Sequence, residues 1–134
     1  MALLYNKIER LNPAKPEEPK KWYLILKSLG QVSEKEVASM IAEGSTLNPK
    51  EAEMAIGRFE KVLVRLLLDG HTVQLGDWGS FQLKLNCSGA ATKEEAVVAN
   101  IKKINIRFRP GKELMEMIAK ATFKPASSLL TKPE

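Results

Sequence analysis

The residues best placed to do chemistry are cations. Between Ile101 and Lys112 the chain reads IKKINIRFRPGK, with Lys102, Lys103, Arg107, Arg109 and Lys112 and no acid among them. Successive strand side chains point to opposite faces, so Ile104, Ile106 and Phe108 fall on one side and Lys103, Asn105, Arg107 and Arg109 on the other. One face can be buried while the other meets a polyanion such as a phosphate backbone. A short basic run is also what any solvated face carries, and the run alone does not separate the two readings.

Other candidate chemistry is sparse. His71 is the single histidine and follows Gly70, which makes it a turn residue before a base or metal ligand. Asp77 lies beside glycines, where turn stabilisation is the stronger reading. Trp22 and Trp78 read as packing aromatics, with nucleotide stacking by Trp78 the lesser alternative. The lone Cys87 has no second cysteine for a disulfide or a metal framework. There is no phosphate loop of the G-x-x-x-x-G-K-[ST] type and no nucleophile paired with a base. Neither an enzyme nor a bound cofactor or metal is expected.

These cations need a scaffold. Leu3 to Leu11 reads as a strand that stops at Asn12-Pro13, and KPEEPKK as a solvated loop. The aromatic and β-branched run Lys21 to Leu29 reads as a second strand, although a buried helical turn fits the same composition. Ser33 and Glu36 form an S-x-x-E capping box for a helix to about Glu43. Asn48-Pro49-Lys50-Glu51 repeats the signal, with an N-cap Asn, Pro at the first helical position and Glu at the third. The long helix that follows buries Ala52, Ala55, Ile56, Phe59, Val62, Leu63, Leu66 and Leu67 and stops at Gly70. Leu66, Leu67 and Leu68 in succession exceed one helix face, so burial on a second side is expected, by a dimer partner or by the N-terminal segment.

Val73 to Phe81, VQLGDWGSF, ends one alternating segment and opens another, with Gly76 and Gly79 allowing a tight corner. Pro110 opens a last helix from Gly111 to about Ala121, and the tail from Lys124 is expected to be flexible.

The chain has 134 residues, 44% hydrophobic content and a net charge of +5, which fits one domain with a modest core. Residues 33–70 carry more acids than bases, and both flanks carry more bases than acids. No run approaches the roughly 20 apolar residues of a membrane span, and MALLYNKIERLNP lacks the pattern of a signal peptide. A soluble protein of the cytoplasm is expected.

From Ser33 onward the sequence resembles the bacterial HU and integration-host-factor family of histone-like proteins. The likeness rests on a short capped helix, a long helix leading into DGHTVQLGDWGSF at the family's Gly-aromatic-Gly-Ser/Thr-Phe corner, an arm, and RPGKEL at its Pro-Gly-Lys element. The segment before Ser33 looks like that of longer HU-like proteins. The resemblance implies an α+β HU-like fold: a helix pair, a three-stranded antiparallel sheet with a protruding β-ribbon arm, and a short C-terminal helix, preceded by extra N-terminal strands. It implies one domain over residues 1–124, with an extension at 1–32 and the HU-like core at 33–124, then a tail at 125–134.

Proteins of this kind are intertwined homodimers whose arms embrace duplex DNA and bend it, reading backbone and deformability more than base sequence. By position, the resemblance makes Lys84, Lys103, Arg107, Arg109 and Lys112 phosphate contacts, and puts Gly79 and Ser80 at the corner where backbone amides approach phosphate. It implies a non-catalytic, nucleoid-associated architectural role with duplex DNA as partner.

The arm departs from the family. NCSGAATKEEAVVAN, from Asn86 to Asn100, has one Lys, two Glu and no Arg, and no proline occurs between Pro49 and Pro110. Kinking by an inserted tip proline is therefore not expected. Val97 or Val98 is either a substitute wedge or, the plainer reading, ribbon packing. The competing functional reading is an HU-like scaffold turned protein-interaction or assembly module, through the arm valines or the N-terminal strand edges.

Overall fold

The computed structural model describes residues 2–127. In chain order its elements are β1 (Ala2–Arg10), β2 (Lys21–Leu26), α1 (Glu34–Glu43), α2 (Pro49–Leu68), β3 (Val73–Leu75), β4 (Gly79–Cys87), a 3-10 turn (Val98–Asn100), β5 (Ile101–Pro110), α3 (Lys112–Ile118) and β6 (Thr122–Pro125). They group into two units, one over 32–117 and one made of the residues on either side of that span.

The larger unit follows from its caps. Glu36 N–H donates to Ser33 Oγ at 3.2 Å, which satisfies one free amide at the start of α1. Asn48 holds α2 more firmly: its Oδ1 accepts from Glu51 N–H at 2.8 Å, and its amide nitrogen donates to Glu51 Oε1 at 2.7 Å. At the other end of α2, Gly70 adopts φ 92°, which brings Gly70 N–H to Leu67 O at 3.1 Å and His71 N–H to Leu66 O at 3.0 Å. These two bonds make a Schellman stop, and His71 contributes its backbone to it.

α1 packs on α2. Each helix has a position only 1% exposed, Ala38 and Ala52, and small side chains there allow close approach. With Leu67 they are the only buried apolar residues described in this unit, while Phe59, Val64, Leu68, Leu85, Ile104, Ile106 and Phe108 remain exposed. The long helix therefore buries less than its apolar stripe predicts.

The sheet of this unit runs β3-β4-β5, antiparallel throughout. β3 covers only Gly79 to Phe81 of β4, so the rest of β4 and β5 forms a two-stranded ribbon. Nine residues of β4 give it a length of about 30 Å. Pairing is regular from Gly79↔Pro110 to Asn86↔Lys103, then shifts so that Cys87 meets Ile101. Lys102 takes up the extra residue. Beyond the shift, Ser88 N–H donates to Asn100 O at 2.9 Å and closes the tip.

The smaller unit is a three-stranded sheet of order β2-β1-β6, with β1 antiparallel to β2 and parallel to β6. Among its described residues Leu4 and Ala126 are buried, whereas Leu3, Trp22, Leu24, Leu26 and Phe123, on the face of the sheet opposite Leu4, are exposed.

Three boundaries differ from the sequence reading. β2 ends at Leu26, before Lys27 to Leu29. α3 ends at Ile118, three residues short of Ala121, because Thr122 and Phe123 enter a strand. Lys124 and Pro125, expected in the tail, belong to β6 and pair with Leu4 and Tyr5. The rest of the expected tail, from residue 128, lies outside the described residues.

Candidate nucleic-acid interface

The ribbon is fixed at its foot by backbone contact between the two motifs found in the sequence. Gly76, at φ 55°, turns the chain so that Trp78 N–H reaches Leu75 O at 3.1 Å. The corner then receives the segment after β5: Gly111 N–H donates to Trp78 O at 2.7 Å and Glu113 N–H to Asp77 O at 3.2 Å. A Cβ at Gly111 would overlap the Asp77 carbonyl, which is why glycine stands there. Asp77 serves this junction through its backbone.

An aromatic cluster braces the same place. The Phe108 ring centroid lies 5.1 Å from that of Trp78 and 4.9 Å from that of Phe81, both tilted. Gly79 is buried beneath it, and a Cβ there would come within 2.5 Å of the Phe108 ring. Gly79 thus leaves the ring the space that a side chain would take.

Cross-strand register sorts the remaining side chains into two faces. Phe81↔Phe108, Leu83↔Ile106 and Leu85↔Ile104 make the apolar one. Ser80↔Arg109, Gln82↔Arg107, Lys84↔Asn105 and Asn86↔Lys103 make the other, which holds four cations and no acid. Each cation is opposite a neutral partner, so none suffers direct like-charge opposition and none is neutralised. Cations two residues apart on a strand are roughly 6.8 Å apart.

Lys84, Lys103, Arg107, Arg109 and Ser80 are therefore brought to one surface. Lys112 stands apart at the start of α3, where its Nζ is 4.0 Å from Glu116 Oε1; both side chains are well exposed and the pair is weak. Sequence reasoning named Asn105 on this face but passed over Gln82 and Asn86, although alternation from Lys84 places them there. It also passed over a groove of about 240 Å³ at the ribbon foot, lined by Gln74, Ser80, Arg109 and Gly111 among others, which only the folded corner creates. Among the described residues no group of three or more His, Cys, Asp or Glu could hold a metal ion.

A helix pair joined to an antiparallel sheet that extends as a two-stranded, basic-faced ribbon and returns through Pro-Gly-Lys is an HU-type architecture. The chain belongs to the HU-HIG family, described as an HU domain fused to wHTH, Ig, or Glycine-rich motif, which matches residues 1–125. A similar fold occurs in the crystal structure of a protein from Bacteroides vulgatus ATCC 8482 provisionally named a bacterial DNA-binding protein. The TM-score is 0.64 at 16% sequence identity, over 93% of this chain and 48% of that one. The chain thus spans about half the length of that protein. No curated protein matches it.

Proposed function

We propose that the chain is a non-catalytic, architectural DNA-binding domain that grips duplex DNA through backbone phosphates with little base specificity. The observation that carries this is the ribbon face on which Lys84, Lys103, Arg107 and Arg109 stand with neutral partners and no acid. Lys112 and the Ser80 side chain, which lies opposite Arg109, extend the phosphate-binding surface, whereas Gly79 is buried beneath the Phe108 ring and takes no part in it. Long flexible cations over neutral side chains suit phosphate contact, whereas base readout needs side chains held in a fixed donor and acceptor pattern. Membership of an HU-domain family supports the reading. No described helix is long and apolar enough to cross a membrane, and a cytoplasmic, nucleoid-associated role follows from the proposed ligand.

The binding unit is a homodimer in this proposal. A unit whose described core is two alanines and a leucine leaves Phe59, Ile104, Ile106 and Phe108 uncovered. Full burial of such a side chain is worth about 1.5–3 kcal/mol, and a second copy supplies the part of it that the half-exposed side chains still lack. The test is titration of duplexes of unrelated sequence against the chain and against a variant with Lys103, Arg107 and Arg109 changed to Ala. Similar affinities for all sequences, each weakened in the variant, support the proposal; affinities that survive the substitutions oppose it.

One observation favours a protein-docking role for the arm. Cys87, Ala96, Val97, Val98 and Ile101 line a mostly apolar hollow of about 470 Å³ at the tip. A co-purifying protein that is lost on deleting residues 88–99 is the result this second reading requires.

A further inference from the structure

The exposed side of α2 carries a second cluster of cations. Arg58, Lys61 and Arg65 line a shallow depression of about 120 Å³ together with Val62. At 100° per residue these three positions fall within an arc of about 60° and span about 10.5 Å along the axis. No carboxylate of the described residues lies within 4.0 Å of any of the three. Of the acids near this arc, Glu51 is held by Asn48, and Asp69, four residues after Arg65 and so its neighbour on the helix surface, makes no ion pair with it within 4.0 Å.

The position of this cluster decides what it can do. The apolar arc of α2, centred on Phe59, Leu63 and Leu66, lies about 140° around the helix from the cations. α2 packs against β3 and β4, and its apolar arc is the side that gains from that contact. Covering that arc, by the sheet or by a second copy, leaves Arg58, Lys61 and Arg65 in solvent. The three cations stand on α2, whereas the ribbon cations are carried by β4 and β5, so the two sets belong to different elements.

From this arrangement we infer that Arg58, Lys61 and Arg65 form a second phosphate-backbone site, which holds a second nucleic-acid duplex and makes the protein a bridge between two. The inference rests on the proposed DNA-binding function. Its geometry is that of backbone contact: three cations on one helical face, with no groove-reading polar side chain between them.

The test uses the full chain, an immobilised short random-sequence duplex and a second, fluorescent duplex of the same kind. Two variants are compared: Arg58→Ala with Lys61→Ala and Arg65→Ala, and the ribbon variant with Lys103, Arg107 and Arg109 changed to Ala. Alanine is the best helix former, so the helix variant keeps α2, which its circular dichroism checks. The expected result is that the helix variant still binds the immobilised duplex but captures the fluorescent one about tenfold less or worse at moderate salt. Arg58→Lys with Arg65→Lys, which keeps the charge, restores capture. Capture by the helix variant at the wild-type level, or no capture by wild-type protein that does bind the first duplex, overturns the inference. Undiminished first-duplex binding by the ribbon variant instead counts against the ribbon as the primary site, and the helix variant reads out separately.

Discussion

Gly111 donates its backbone N–H to the carbonyl of Trp78 at 2.7 Å, and this bond ties the end of the returning ribbon strand to the corner where the outgoing strand begins. The contact is backbone to backbone with no room for a side chain. It sets where both strands leave the body of the domain, and hence where the cations on them are carried.

Gly111→Ala is expected to destabilise the protein by about 3 kcal/mol, at the upper end of overpacking costs, because the obstructing atom is the Asp77 carbonyl and cannot rotate away. Urea unfolding measures it. A change within a few tenths of a kcal/mol would show that the corner adapts and does not fix the ribbon.

Asn48→Ala removes both the acceptor for Glu51 N–H and the donor to Glu51 Oε1. A loss of about 1 kcal/mol is expected, and Asn48→Ser should keep most of the stability, since its hydroxyl still accepts the amide without setting a second carboxylate against Glu51. Equal losses in the two variants would assign the effect to something other than the cap.

Much of this was legible in the sequence because local chemistry decides it. Ser33, Asn48-Pro49 and Gly70 mark helix ends through bonds made within a turn, and alternation around Ile104 to Arg109 gives the two ribbon faces. β6 was not legible: Thr122 to Pro125 is four residues long, contains a proline and pairs with β1 across most of the chain, so no local pattern announces it. The helix cations escaped for another reason. Residues 33–70 are acidic in net charge, and counting along the chain hides Arg58, Lys61 and Arg65, which converge only when the helix is wound.

The exposed apolar surface predicts self-association. Sedimentation equilibrium should return twice the 14.9 kDa of the chain, with a melting temperature that rises with protein concentration. Ile106→Asp, on the apolar ribbon face, should weaken the dimer. A monomer with concentration-independent unfolding would rule out partner burial as the source of stability.

The central claim, that the polar ribbon face is a phosphate-binding surface, is tested most directly by the salt dependence of duplex affinity. Each phosphate contact contributes about 0.9 to the slope of log affinity against log salt. The wild-type slope should be several units, and changing Lys103, Arg107 and Arg109 to Ala should reduce it by about 2.7 for each ribbon engaged, whatever the duplex sequence. An unchanged slope in the folded variant would contradict the account.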